Sequence, residues 1–135
     1  MLRCGVDLIE VARVRASIEK HGDHFLRRIF TPEEMRYCAK FAHPWPHWAA
    51  RFAAKEALYK CLFADSLRAL VWKEIGVVNE ANGAPHFEFA GETQERLAAW
   101  RFALSLTHTR ELAVAQVVAV PPEEDRGSAE TPRVS

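Results

Sequence analysis

Apolar and polar residues alternate over residues 2–9, with Leu2, Cys4, Val6 and Leu8 on one side and Arg3, Gly5 and Asp7 on the other. A period of two predicts a half-buried strand with Asp7 on its polar face. From Val11 to about Ile29 the period lengthens: Val14, Ile18, Phe25 and Leu26 fit a helical stripe broken near Gly22. Thr31-Pro32-Glu33-Glu34 then offers an N-cap hydroxyl, a proline at the first helical position and a capping-box glutamate. This second helix is expected to reach about Lys40 and to stop before the turn His43-Pro44-Trp45-Pro46. Trp48 to Phe63, rich in Ala and free of Gly and Pro, predicts the longest helix.

The second half of the chain reads differently. Ile75–Val78 and His86–Phe89 flank Asn82-Gly83, a hairpin signal within a longer loop that starts at Asn79. Gly91 to Trp100 reads as a short helix. Phe102, Leu104 and Leu106 alternate with Ala103, Ser105 and Thr107, and Leu112–Val120 is a further apolar strand. Helices come early and strands late, so the fold class is α+β, a single domain with helices packed on a mostly antiparallel sheet. That domain is expected over residues 1–120. Residues 121–135 hold three prolines, several charges and no apolar pattern, and are expected to form a disordered tail.

Composition narrows the function. At 135 residues, 49% hydrophobic and 27% charged, the chain suits one globular domain that needs no disulfide or metal to fold. No apolar run approaches the roughly 18–20 residues of a membrane span, and Asp7 falls where a signal peptide needs an apolar stretch. Cys4, Cys38 and Cys61 are odd in number and widely spaced, and read as reduced core residues of a cytoplasmic protein. A formal charge of zero argues against a dedicated nucleic-acid binder. The balance is uneven, however: residues 1–60 hold 11 Lys/Arg against 7 Asp/Glu. A basic first helix fits either a solvated face or the docking of an acidic protein or a phosphorylated small molecule.

Three places could carry chemistry. In Arg51-Phe52-Ala53-Ala54-Lys55-Glu56-Ala57-Leu58-Tyr59-Lys60, helical spacing puts Glu56 on a stripe with Phe52, Tyr59 and Phe63. A carboxylate there either pairs with Lys60 at i,i+4 or is held for a purpose such as metal binding. Asp7 ends a strand, where it either caps the following helix or projects into a cleft. Together Asp7 and Glu56 could form a two-carboxylate magnesium site, completed by water and phosphate oxygens, with Lys60 holding further phosphate charge. His108, in Ser105-Leu106-Thr107-His108, lies at the turn between two strands, either as a surface residue or as a group that titrates or donates to a phosphate.

Taken in order, these segments resemble the short group of 4'-phosphopantetheinyl transferases, the holo-[acyl-carrier-protein] synthases. The resemblance rests on Gly5-Val6-Asp7 with Arg13, on Phe30-Thr31-Pro32-Glu33-Glu34, on Arg51 through Lys60, and on Ser105–His108 followed by Ala113–Val117. It covers about residues 2–120. It implies transfer of the phosphopantetheine arm of coenzyme A to a serine of an apo acyl carrier protein, with adenosine 3',5'-bisphosphate released. It further implies magnesium on Asp7 and Glu56, with Lys60 as a phosphate contact and His108 in a binding or orienting role near the coenzyme's phosphates, beside Ser105 and Thr107. Arg13, with Lys20 and Arg28, would dock the acidic carrier protein, and the assembly would be a homotrimer with shared active sites. Family members carry a glycine-rich turn after the Lys-Glu-Ala helix, whereas this chain has Cys61 to Arg68 without glycine. Either Ser66 and Arg68 supply side-chain contacts in its place, or coenzyme binding is altered. Two other readings stand beside the transferase: a coenzyme A or carrier-protein binding module without turnover, and a small acyl-CoA thioesterase using Asp7 or Glu56 as base.

Overall fold

The computed structural model of the protein describes residues 1–65 and 70–123. The elements run β1 (Arg3–Glu10), α1 (Val11–Ile29), α2 (Pro32–Ala39), α3 (Trp45–Leu62), β2 (Ile75–Asn79), β3 (Pro85–Phe89), α4 (Gly91–Leu97), β4 (Arg101–His108) and β5 (Leu112–Val120). β1, β5 and β4 form an antiparallel sheet in that order, and β2 and β3 form a separate antiparallel hairpin. The class is α+β, as the order of periods predicts. Ser66, Arg68 and the tail beyond Glu123 lie outside the described residues.

Local signals place most element ends. α1 bends at Gly22, whose φ of 56° and ψ of −139° are not helical. Thr31 and Glu34 make the full capping box, each side chain bonded to the other's backbone N–H, at 3.1 and 3.0 Å. α3 begins at Trp45, three residues before the expected start, because Pro46 sits in the first turn, where a missing N–H costs nothing. In the hairpin loop Gly83 takes a φ of 89° and Asn82 accepts a hydrogen bond from the Ala84 N–H.

α3 lies across the inner face of the three-stranded sheet. Its buried face is made of Ala50, Ala53, Ala54, Ala57, Leu58 and Cys61, against Ala113, Ala115, Val117 and Ala119 of β5. Small residues on both surfaces let helix and sheet approach closely. At Gly5 the approach is backbone to side-chain-less Cα: a Cβ there would overlap the Ala57 carbonyl oxygen and lie 2.8 Å from the Cys61 nitrogen. The stripe of Phe52, Glu56 and Tyr59 is therefore not the core face of α3 but its half-buried rim.

The same packing reverses the expected orientation of β1. Arg3, Gly5, Asp7 and Ile9 pair with Ala119, Val117, Ala115 and Ala113 and so point toward α3. The apolar set Val6 and Leu8, 55% and 62% exposed, lies on the outer face. Val114 and Val118 of β5 share that face, since they pair with Leu8 and Cys4. Alternation fixes which residues share a side, but not which side meets the helix. Cys4 consequently is exposed, while Cys38 and Cys61 are buried; all three are free thiols. Among the described residues no helix is long and apolar enough to cross a membrane.

Candidate active site

Asp7 and Glu56 meet at the rim where β1 passes α3. They line one cleft of about 310 Å³ together with Leu8, Ile9, Arg13, Val14 and Phe52. Asp7 caps no helix: the residue before α1 is Glu10, which makes no side-chain cap. Instead the Asp7 carboxylate, 13% exposed, accepts a hydrogen bond from the Lys60 ammonium at 2.9 Å, and Lys60 also donates to the Val6 carbonyl at 3.2 Å. Burial, and then the charge of Asp7, hold the Glu56 carboxyl above the ordinary carboxylate range, with Lys60 acting against both.

Two carboxylates facing one cleft, one of them destabilised by the other's charge, gain from a cation between them. The donors are all oxygen, the kind magnesium takes, and among the described residues no group of three or more His, Cys, Asp or Glu closes a full cage. Two protein carboxylates with open positions suit a magnesium ion that keeps waters and accepts phosphate oxygens. The donor chemistry of Asp7 and Glu56 therefore fits that ion.

The other expected residues divide between this cleft and places away from it. Arg13 lines the same cleft, on the first turn of α1. Lys20 is exposed further along α1, and Arg28 borders a larger cavity of about 830 Å³ with His24, Arg27, Trp72 and Lys73. His108 ends β4 and pairs with Ala113, and its ring lies edge-on to that of His47 at 5.2 Å. It is not among the residues that line the Asp7 cleft. Ser105 and Thr107 pair with Gln116 and Val114 and so lie on the outer face of the sheet, opposite Asp7. One chain thus brings together Asp7, Glu56, Lys60 and Arg13, and keeps Ser105, Thr107 and His108 apart from them.

Two charged features escape the periodicity argument. Arg51 is buried, stacks over the Tyr37 ring at 4.0 Å and donates to the Asn79 side chain at 2.7 Å, while its Nε has no hydrogen-bond partner among the described residues. Burial, His108 and Arg51 all push the nearby His47 imidazole below the ordinary histidine range. Arg51, His47 and His108 thus form one cluster, in which the Arg51 guanidinium is the fixed positive charge and the His47 imidazole is held toward its neutral form. The second feature is a fully buried ion pair between Lys55 and Glu34, at 2.6 Å. The capping box marks Glu34 in the sequence, but nothing there tells that its carboxylate also meets Lys55 from 21 residues away.

Comparison with known proteins agrees on one family. The family model of the 4'-phosphopantetheinyl transferase superfamily matches residues 3–117. A holo-[acyl-carrier-protein] synthase of Koribacter versatilis (strain Ellin345) is 40% identical over 121 residues, covering 87% of this chain and 97% of that protein. Among solved structures, the holo-[acyl-carrier-protein] synthase of Neisseria meningitidis superposes with a TM-score of 0.76 at 31% identity, covering 88% of this chain and 98% of that one. An ACPS–CoA complex of Chronobacterium ammoniagenes gives a TM-score of 0.76 at 25% identity, covering 88% of this chain and 96% of that one.

Proposed function

The chain belongs to the 4'-phosphopantetheinyl transferase superfamily, and from that premise we infer that it is a holo-[acyl-carrier-protein] synthase. It moves the 4'-phosphopantetheine arm of coenzyme A onto a serine of an apo acyl carrier protein. The carrying observation is the Asp7–Glu56 pair in one cleft with Lys60 beside it, within a chain 40% identical to a curated synthase over nearly its whole length.

The residues suit the reaction. The serine oxygen attacks the phosphorus that bears the pantetheine arm. The pyrophosphate P–O bond breaks, and adenosine 3',5'-bisphosphate leaves as the serine proton passes to a base. Negative charge grows on the departing phosphate, so cationic groups placed in advance lower the barrier. Magnesium held by Asp7 and Glu56 would supply a Lewis acid for the pyrophosphate oxygens. Lys60, half exposed and paired with Asp7, would present its ammonium to a phosphate bound beside that carboxylate. Arg13, which lines the same cleft, would meet an acidic carrier protein there. Lys20 and Arg28 extend that basic face along α1.

Separation of His108, Ser105 and Thr107 from Asp7 within one chain supports a site shared between copies. The outer face of the sheet, with Val6, Leu8 and Leu112 exposed, supplies an apolar surface for such packing, and a homotrimer is our reading of it. The cluster of Arg51, His47 and His108 would then face the coenzyme's phosphates from a neighbouring copy, with Arg51 as its positive charge. The cytoplasm, where coenzyme A and carrier protein meet, is the expected place of action.

The deciding experiment is mass spectrometry of an apo acyl carrier protein incubated with this protein, coenzyme A and magnesium, with an EDTA control. One added phosphopantetheine, lost with EDTA, is the expected result. No addition across several carrier proteins, with the protein folded, overturns the reading in favour of a binding module. Free thiol released from acyl-CoA irrespective of EDTA would point to a thioesterase.

A further inference from the structure

Lys55 stands next to Glu56 in α3 but points the opposite way, into the protein, with no side-chain exposure. Its ammonium spends all three donors, on the Ile29 carbonyl at 2.6 Å, on Glu34 Oε1 at 2.6 Å and on the Trp72 carbonyl at 3.2 Å. Glu34 is equally engaged: Oε1 also accepts the Thr31 N–H, and Oε2 accepts the Val77 N–H at 3.2 Å. Neither charge reaches the cleft, so neither takes part in the chemistry. A buried ion pair is also weak as a source of stability, since well-packed apolar residues often do as well.

What the pair does is join pieces. Ile29 ends α1, whose Arg13, Val14, Ser17 and Phe25 line the cleft. Trp72 packs its ring on Phe52 of α3 at 5.3 Å, and Phe52 stacks on Phe25 of α1 at 6.5 Å, so these aromatics join the α1 wall to α3. The opposite wall, β1 on α3, is fixed independently by the Gly5–Ala57 contact and the Arg3–Asp65 ion pair. α1 bends at Gly22, so its last turns need a separate tether. We propose that Glu34 and Lys55 are positioning residues that set the α1 wall of the active-site cleft, the wall that receives the carrier protein. The kinetic part of this proposal rests on the transferase reading; the structural part does not.

The test is the double variant Glu34→Gln/Lys55→Met, which removes both charges at similar volume. Lys55→Met alone would strand a buried carboxylate and is expected to unfold. Hydrogen–deuterium exchange of the whole protein is expected to quicken about tenfold or more at residues 23–30, with β1, β4 and β5 as protected as before. In the transfer assay the KM for carrier protein is expected to rise about fivefold, while the KM for coenzyme A stays within about twofold. Unchanged exchange at 23–30 overturns the proposal, as does exchange that rises evenly through the chain. So does a local rise with an unchanged carrier-protein KM, or a double variant that does not fold, because the pair would then be holding the fold and not the wall. If the wild-type protein transfers nothing, the reading of the reaction fails, and the exchange result alone decides whether the wall is held in this way.

Discussion

Lys60 reaches across to Asp7 on β1, at 2.9 Å, rather than back one helical turn to Glu56. The ordinary i,i+4 pairing is thereby set aside, and the two carboxylates share a cleft with only one of them directly paired to the lysine. That asymmetry suits the rim of β1 and α3 to the phosphate chemistry proposed for it. Asp7 is held in position, and Glu56 is pushed toward protonation by burial and by Asp7 unless a cation relieves it.

Asp7→Asn and Glu56→Gln should each leave a folded protein with transfer lowered by about 100-fold or more, the usual scale for removing a group that acts on developing charge. Isothermal calorimetry with magnesium and coenzyme A should show weaker metal binding for both. Near-normal activity of either variant at low magnesium would rule the two-carboxylate site out.

Gly5→Ala tests the close approach of β1 to α3. The added methyl would meet backbone atoms of Ala57 and Cys61, which cannot turn aside as a side-chain tip would. A loss of about 3 kcal/mol is expected, at the upper end for overpacking. Urea denaturation measures the loss directly. A stability equal to wild type would mean that the strand and helix are farther apart than described.

If active sites are shared, an inactive Asp7→Ala protein mixed and reassembled with an inactive His108→Ala protein should recover part of the transfer rate. Leu8→Glu, which buries a charge in the outer face if that face is an interface, should shift the mass by light scattering to the 15.3 kDa of one chain. Mixtures that stay inactive, together with a wild-type protein already at that mass, would leave each chain on its own.

Stability should depend on pH through His47. Its folded imidazole resists the proton because of burial first, then His108 and Arg51, whereas the unfolded one takes it near about pH 6.5. The unfolded state then binds more protons, so stability is present above that pH and is lost as pH falls toward the folded value. His47→Phe should keep the stacking on Phe41 and flatten this dependence in thermal melts between neutral and mildly acid pH. An equal slope in both proteins would assign it to another group.

Cys38 and Cys61 are buried, and burial pushes their thiols up to about 12 and about 11. Thiolate is the reactive form, so native protein treated with a maleimide at neutral pH should carry at most one label, on Cys4, and denatured protein three. Two or more labels on the native protein would show that the core opens.

Much of this molecule is legible in its residues. The capping box at Thr31, the break at Gly22 and the hairpin at Asn82-Gly83 are local, each decided by backbone preferences within a few residues. The order of periods is enough for the α+β class, and the spacing from Arg51 to Lys60 with Gly5-Val6-Asp7 points to the family. Orientation is another matter. Alternation in β1 says that Val6 and Leu8 share a face, but only the packing of alanine-rich α3 on β5 decides that this face looks outward and that Asp7 looks in. The partners of Lys60 and Lys55 are likewise tertiary: a helical lysine can pair one turn away or with residues dozens of positions off, and spacing cannot choose between them. The sequence by itself determined which elements form and which side chains could carry chemistry. The tertiary structure decided which of them meet, because burying one helix face against one sheet face settles every contact between them at once.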